Sequence, residues 1–266
     1  MKNEILSILP GDHPWAEYLR IYDSLPSTNS ELKRLAEAGA PEGTTVIAHT
    51  QTAGRGRMGK SFHSPKDGGL YISLLLRPNC APAELMHLTC VVAVAACEAI
   101  EKACGEKPGI KWINDLVMCR KKLAGILTEL SIYPETGLVD YAIIGIGINC
   151  RQETEEFPPE LQSIATSLKS ATGKDISPGI LAGHLLCALS EMAVKLSTHK
   201  DSIMNCYREN CLTISSQVQL TIGEERFCGT AESITADGAL IVKLPSGEKR
   251  TFSSGEASVR GLFGYT

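Results

Sequence analysis

The sequence predicts an α+β protein in two parts, with strands and helices intermingled over residues 1–212 and a small all-β domain over residues 213–266. Three observations predict this. Strand-like runs at 44–50 (TTVIAHT), 70–76 (LYISLLL) and 139–149 (VDYAIIGIGIN) are interspersed with apolar residues at helical spacing over 84–103 and 178–205. From Gln217 onward the pattern changes to short β segments: QVQLTI, RFCGTAESI, ALIVKL and EKRTF. Asp237-Gly238 and Ser246-Gly247 between them are hairpin turn signals. That makes a β-barrel of about fifty residues, SH3-like in strand count, within the one or two domains that 266 residues allow.

Composition narrows the function. Apolar residues make up 43% of the chain, which is ordinary for a globular protein, and the net charge of −4 argues against a general nucleic-acid binder. Basic residues concentrate at 55–60 and 111–122, as an enzyme of anionic substrates requires. The ten cysteines show no CxxC and no zinc-ligand spacing. Cys90, Cys97 and Cys104 recur on one face of the 84–103 helix and read as small buried groups. The first residues lack a signal-peptide pattern, and the longest apolar run, 91–97, is too short to span a membrane. A reducing cytoplasm is the expected compartment.

In chain order, residues 1–17 carry no motif and 18–22 form a short strand. Ser27-Thr28-Asn29 open a helix, with Thr28 and Glu31 spaced as a capping box and Gly39 and Pro41 as the stop. The trio is either a plain cap or a set of hydrogen-bonding groups at a helix N-terminus that reads a small polar ring.

The segment at 51–61, QTAGRGRMGKS, places three glycines among Arg55, Arg57 and Lys60. Gly54, Gly56 and Gly59 free the backbone for positive φ and close approach to a ligand. Such a loop is expected to order around a carboxylate and a phosphate. It also matches the P-loop pattern GxxxxGK[ST], but no helix follows: 62–69 is a turn segment with Pro65, and a strand comes next.

At 110–130, IKWINDLVMCRKKLAGILTEL, the reading is a strand or turn at 111–114, a strand at 116–119, a basic turn, and a strand from Lys122. Asn114-Asp115 is either a turn or a place where Asp115 holds Mg²⁺, a hard cation that favours carboxylate and phosphate oxygens. Lys122 is an edge lysine or, beside Ala124 and Gly125, a site residue. In 139–149, strand alternation puts Gly145, Gly147 and Asn149 on one face and Ile144, Ile146 and Ile148 on the other. The bare glycine face admits either a ligand or a packed helix. Residues 151–159 are a polar loop, and 164–169 and 178–205 are helical.

These motifs together resemble the biotin protein ligases. The resemblance runs in order through STN at 27–29, QTAGRGR at 51–57, LYISLLLRP at 70–78, KWIND at 111–115, KKLAGIL at 121–127, GIGIN at 145–149 and SGEASVRG at 254–261. Each is weak alone; seven in order are specific. The resemblance implies a central mixed β-sheet with flanking helices, the class II synthetase-like biotin/lipoyl ligase fold, followed by an SH3-like domain. It implies activation of biotin by Mg-ATP to biotinyl-5′-AMP and transfer of biotin to one lysine of a biotin carboxyl carrier protein domain.

By the same resemblance, Ser27, Thr28, Asn29 and Gln51 bind the biotin head group. Gly54, Arg55, Gly56 and Arg57 cover the biotin tail, and Gly125, Gly145 and Gly147 lie beneath it. Lys122 contacts the carboxylate and α-phosphate. Arg57, Lys60, Phe62, Lys111, Asn114 and Asn149 serve ATP, and Asp115 the metal. Lys122 and Arg57 are the implied catalytic residues. The chain departs from the family at Ile113 (usually proline), Met58 (arginine) and Phe62 (tryptophan). Phe62 can still stack on adenine, and Ile113 loosens the turn before Asn114. With no room for an N-terminal winged helix, a ligase without repressor function or DNA partner is expected, as monomer or homodimer. The rival readings are a lipoate or octanoate ligase of the same superfamily, a P-loop NTPase and a DNA-binding regulator.

Overall fold

The structure is a computed structural model that describes residues 1–196 and 198–253, and the backbone of 258–261. The first part opens with α1 (Lys2–Ile8), β1 (Leu19–Leu25), α2 (Thr28–Glu37), β2 (Thr45–Gln51), β3 (Gly69–Leu76) and α3 (Leu88–Cys104). A meander follows, β4 (Gly109–Lys111), β5 (Asp115–Met118), β6 (Lys121–Ile132) and β7 (Val139–Asn149), and then α4 (Pro159–Gln162), α5 (Leu168–Thr172), α6 (Pro178–Lys195) and α7 (Lys200–Glu209). The sheet order is β1-β2-β3-β7-β6-β5-β4. Only β1 and β2 run parallel; the other pairs are antiparallel, so the sheet is mixed as expected.

Both faces of the sheet are covered. Alternation along β7 sends Ala142, Ile144, Ile146 and Ile148 to the main core, which also holds α3 and α6. Tyr141 and Ile143 face the other way, onto Leu32 and Ala36 of α2. Beyond Ile143 that second face continues as Gly145, Gly147 and Asn149, and α2 covers only its beginning. The floor of a cleft is thus set by where the large side chains stop. Pro82–Cys104 is the one segment among the described residues long and apolar enough to cross a membrane, and most of it is buried in this core.

Two sequence expectations need correction, and one segment without a motif proves structured. The run 178–205 is two helices, because the chain leaves helical geometry between Lys195 and Lys200. No proline or glycine marks that break. Residues 164–166 are a turn and a β-bridge rather than a helix: Lys122 N donates to Ile164 O (2.7 Å) and Thr166 N to Lys122 O (2.9 Å), so this segment lies along the start of β6. Residues 1–17, which carry no motif, supply α1, whose Ile5 is fully buried and whose Glu4 accepts a hydrogen bond from Ser177 Oγ at the start of α6 (2.7 Å).

The second part is an SH3-like domain of five antiparallel strands, β8 (Gln217–Ile222), β9 (Glu225–Ile234), β10 (Leu240–Lys243), β11 (Lys249–Phe252) and β12 (Ser258–Gly261), in the order β11-β10-β9-β8-β12. Gly238 and Gly247 take left-handed φ of 86° and 88° at the two turns read from the sequence. Residues 254–257 of the SGEASVRG motif lie outside the described residues.

The C-terminal part grips the KWIND turn. Trp112 Nε1 donates to Gly238 O (2.8 Å), Trp112 N to Thr213 Oγ1 (2.9 Å), and the buried Tyr207 hydroxyl to Ile113 O (3.1 Å). Ile113 is itself buried, and its carbonyl is held by the Tyr207 hydroxyl. Replacing Trp112 by phenylalanine should leave Gly238 O without its donor. An unsatisfied buried carbonyl costs about 1–3 kcal/mol, so the thermal midpoint should fall by roughly 3–6 °C in calorimetry. An unchanged midpoint would show that this hydrogen bond does not anchor the turn.

Candidate active site

The cleft on the α2 face of the sheet has a volume of about 810 Å³. Of the eighteen site residues named from the sequence, seventeen line it and Gly54 does not. Gly145 and Gly147 of β7 and Gly125 of β6 form its floor. Ser27, Thr28, Asn29 and Gln51 form one end wall. Lys111, Asn114, Asp115, Lys122 and Asn149 lie at the other end, beside the segment 157–165. The arginine loop is the roof.

The loop's glycines do a different job from the one expected. Only Gly59 takes positive φ (72°), next to Met58, itself at 54°. No helix follows Ser61, which removes the P-loop reading. Gly56 N donates to Lys60 O (2.7 Å) and Phe62 N to Gly54 O (2.9 Å), so the loop is closed by its own backbone. A Cβ on Gly54 would collide with the Phe62 carbonyl and Ser64 Oγ. Gly54 is therefore required by the hairpin rather than by close ligand approach.

The arginines also have protein partners: Arg57 Nη1 donates to Asn114 Oδ1 (3.0 Å), and Arg55 Nη2 pairs with Glu129 Oε1 (3.0 Å). The loop is thus tied to the sheet through both arginines. Arg57 is largely buried; burial lowers its pKa and the nearby Asp115 carboxylate opposes that shift. A guanidinium keeps its charge regardless, its ordinary pKa lying above about 12.

At the end wall, the capping box is not formed. Ser27 is the N-cap and makes no side-chain cap hydrogen bond. Glu31 instead accepts from Arg34 Nη2 (2.7 Å) and the Tyr22 hydroxyl (3.1 Å). The first-turn N–H of Thr28 is satisfied by Gln51 Oε1 (2.8 Å), and Gln51 Nε2 donates to Ser64 Oγ (2.9 Å). Gln51 is thus a long-range cap, tying α2 to the end of β2. Gly145 is bare because the Asn29 side chain fills the space its Cβ would take. Gly147 is bare for the Phe62 ring, 2.5 Å from where a Cβ would stand. Of the two alternatives for the glycine face, the packed helix accounts for Gly145, while Gly147 receives a ring from the roof segment. Phe62 stands edge-on to Tyr71, with ring centroids 6.5 Å apart, over this floor.

At the opposite end, the Lys122 ammonium is 2.7 Å from Asp115 Oδ1 and both side chains are mostly buried. Asn149 Nδ2 donates to Thr166 O (3.0 Å), holding the 163–166 strip, and Asn114 Nδ2 donates to Ile126 O (3.0 Å). Among the described residues no three His, Cys, Asp or Glu side chains gather as a metal site. Asp115 alone fits Mg²⁺ only in the way that ion usually binds, through one carboxylate plus substrate phosphates.

Sequence reasoning missed Ser73, Glu129 and His63. His63 lines the cleft 6.4 Å from Phe157, and burial lowers its pKa, keeping the ring neutral at pH 7. Ser73 and Glu129 lie within strands that read as ordinary sheet; their partners are 44 to 100 residues away in sequence.

The comparisons with known proteins bear on this arrangement. Residues 21–149 match the biotin/lipoate A/B protein ligase family and residues 213–260 the biotin protein ligase C-terminal domain. The bifunctional ligase/repressor BirA of Bacillus subtilis is 37% identical over 239 residues, covering 90% of this chain and 73% of that protein. The chain belongs to the biotin protein ligase family. The biotin–[acetyl-CoA-carboxylase] ligase of Paracoccus denitrificans is 30% identical, covering 84% of this chain and 93% of that one. Among solved structures, the biotin protein ligase of Aquifex aeolicus in complex with biotin and ATP superposes with a TM-score of 0.78 at 32% identity, covering 92% and 99% of the two chains. Membership agrees with the mixed sheet followed by an SH3-like domain, and it makes the chain an ATP-dependent ligase of biotin rather than a P-loop NTPase.

Proposed function

We propose that this ligase joins biotin to ATP in the cleft and then passes biotin to a lysine of a biotin carboxyl carrier protein domain. The biotin carboxylate attacks the α-phosphorus of ATP, a P–O bond forms, and pyrophosphate leaves with the electron pair of the bond that breaks. The carrier amine then attacks the acyl carbon of biotinyl-5′-AMP, AMP departs, and the amine gives up a proton. The observation that carries this reading is the Lys122 ammonium at the start of β6, 2.7 Å from Asp115 and next to the glycine floor. Two anions meet in the first step, and a fixed cation where charge develops is the main catalytic device such a reaction needs.

In this reading Ser27, Thr28, Asn29 and Gln51 hold the biotin head group, and Gly125, Gly145 and Gly147 underlie its tail. Gly56, Arg55 and Arg57 cover it, while Gly54 keeps the loop's shape. Lys60, Phe62, Lys111, Asn114 and Asn149 serve the nucleotide. Asp115 would offer one oxygen to a Mg²⁺ carried by the ATP phosphates, which would neutralise phosphate charge there, and Lys122 is the cation of this chain placed for the reacting oxygens. The ten cysteines stand as free thiols, which suits a cytoplasmic protein. The domain division at 212/213 accords with the two matched segments.

The test is pyrophosphate exchange into ATP, with biotin or lipoate as the acid. Exchange with biotin at least a hundredfold above that with lipoate is expected. Equal or greater exchange with lipoate would turn the assignment to a lipoate ligase, and hydrolysis of ATP without either acid to an NTPase.

A further inference from the structure

We propose that Glu129, towards the C-terminal end of β6, is a positioning residue that couples closure of the arginine loop to the wall that receives the biotin head group. The inference rests on the biotin ligase reading. Glu129 pairs with Ile143 of β7 and so projects on the α2 face of the sheet, the face that carries the cleft. Its carboxylate reaches two elements at once. Oε1 is 3.0 Å from Arg55 Nη2 on the roof, and Oε2 accepts Asn29 Nδ2 at 2.7 Å on the end wall. No other residue pairs ionically with the roof's first arginine among the described residues.

The second contact orders the wall. A carboxylate only accepts, so it turns the Asn29 amide nitrogen toward itself and leaves Oδ1 on the other side. There Ser73 Oγ donates to Asn29 Oδ1 at 2.6 Å, with Thr28 Oγ1 2.8 Å from the same hydroxyl. Thr28 in turn meets Gln51 Oε1 through its N–H at 2.8 Å. One negative charge thus fixes the orientation of a chain of buried dipoles that runs along the wall, and such chains strengthen one another. The same charge tethers the loop. A closed loop lends Arg55 to Glu129, and a loop that opens takes that cation away from the carboxylate holding Asn29. The head-group wall and the roof are therefore linked energetically through one side chain.

The experiment uses the full chain and compares wild type, Glu129→Gln, Arg55→Met and the double variant. The readouts are KM for biotin in pyrophosphate exchange, dissociation of preformed biotinyl-5′-AMP in a chase with unlabelled biotin and ATP, and the thermal midpoint. Glu129→Gln keeps the shape and removes the charge. It should raise both KM and the dissociation rate about tenfold with an unchanged midpoint, charge-assisted bonds being roughly twice as strong as neutral ones. The double variant should dissociate no faster than the worse single variant, the mark of a shared interaction. Glu129→Asp, which restores the charge on a shorter arm, should recover part of the loss. Independent, multiplying effects in the double variant would overturn the coupling. So would a Glu129→Gln dissociation rate within twofold of wild type in a protein that carries out biotin-dependent exchange. Absence of that exchange in the wild type would instead overturn the biotin reading together with this one.

Discussion

Replacing Lys122 by alanine is expected to lower biotin-dependent pyrophosphate exchange by about a thousandfold, with the loss in kcat rather than KM. Removing a single group that stabilises developing charge costs about 10²–10³ in rate in well-studied enzymes. Lys122 stands at the upper end because it is a full cation in a cleft where water is displaced by protein. Its position is fixed from several sides: the ion pair with Asp115 at 2.7 Å, the bare Cα of Gly125, and backbone bonds to Ile164 and Thr166. The backbone bonds survive the substitution, so the fold should too, and a near-native circular dichroism spectrum is the control. A variant that exchanges pyrophosphate at close to the wild-type rate would remove Lys122 from the chemistry.

The second large effect is expected from Arg57→Gly. The Arg57 guanidinium is largely buried under the roof and holds Asn114 Oδ1 at 3.0 Å, linking the loop to the KWIND turn. Glycine removes that link, the cation above the adenylate, and the bulk that keeps water out. Biotinyl-5′-AMP should form but escape about a hundredfold faster, appearing free in the medium before any carrier is added. Quantifying free adenylate by mass spectrometry after rapid filtration checks this, and retention equal to wild type would contradict it. Lys122→Ala and Arg57→Gly thus separate making the intermediate from keeping it.

How much of this was legible in the sequence depends on the range of the interactions. The strands that carry the site announce themselves through alternation and composition, and Gly145 and Gly147 were visible as a bare face because a strand's period is 2. The C-terminal run of short strands was visible because turn chemistry is local: Asp237-Gly238 and Ser246-Gly247 form the turns they spell. Long-range partnerships left no such mark. Thr28 and Glu31 have capping-box spacing, but Gln51, 23 residues on, takes the helix N–H, and Tyr22 and Arg34 take the glutamate. Gly54 looked like room for a ligand and is instead room for the loop's own Phe62 carbonyl. Glu129 carries no local signal in the sequence. Its importance comes from Arg55 and Asn29, which arrive from 74 and 100 residues away. The helix break after Lys195 has no proline or glycine to announce it.

The grip of Tyr207, Thr213 and Gly238 on Trp112 and Ile113 has a consequence for biosynthesis. Those three anchors are translated long after the turn they hold, and domains fold largely in the order in which they leave the ribosome. While the last strands are still being made, Lys111, Asn114 and Asp115 sit on a segment without its outer supports. The turn that carries three cleft residues therefore gains its last anchor only once Gly238 has been made.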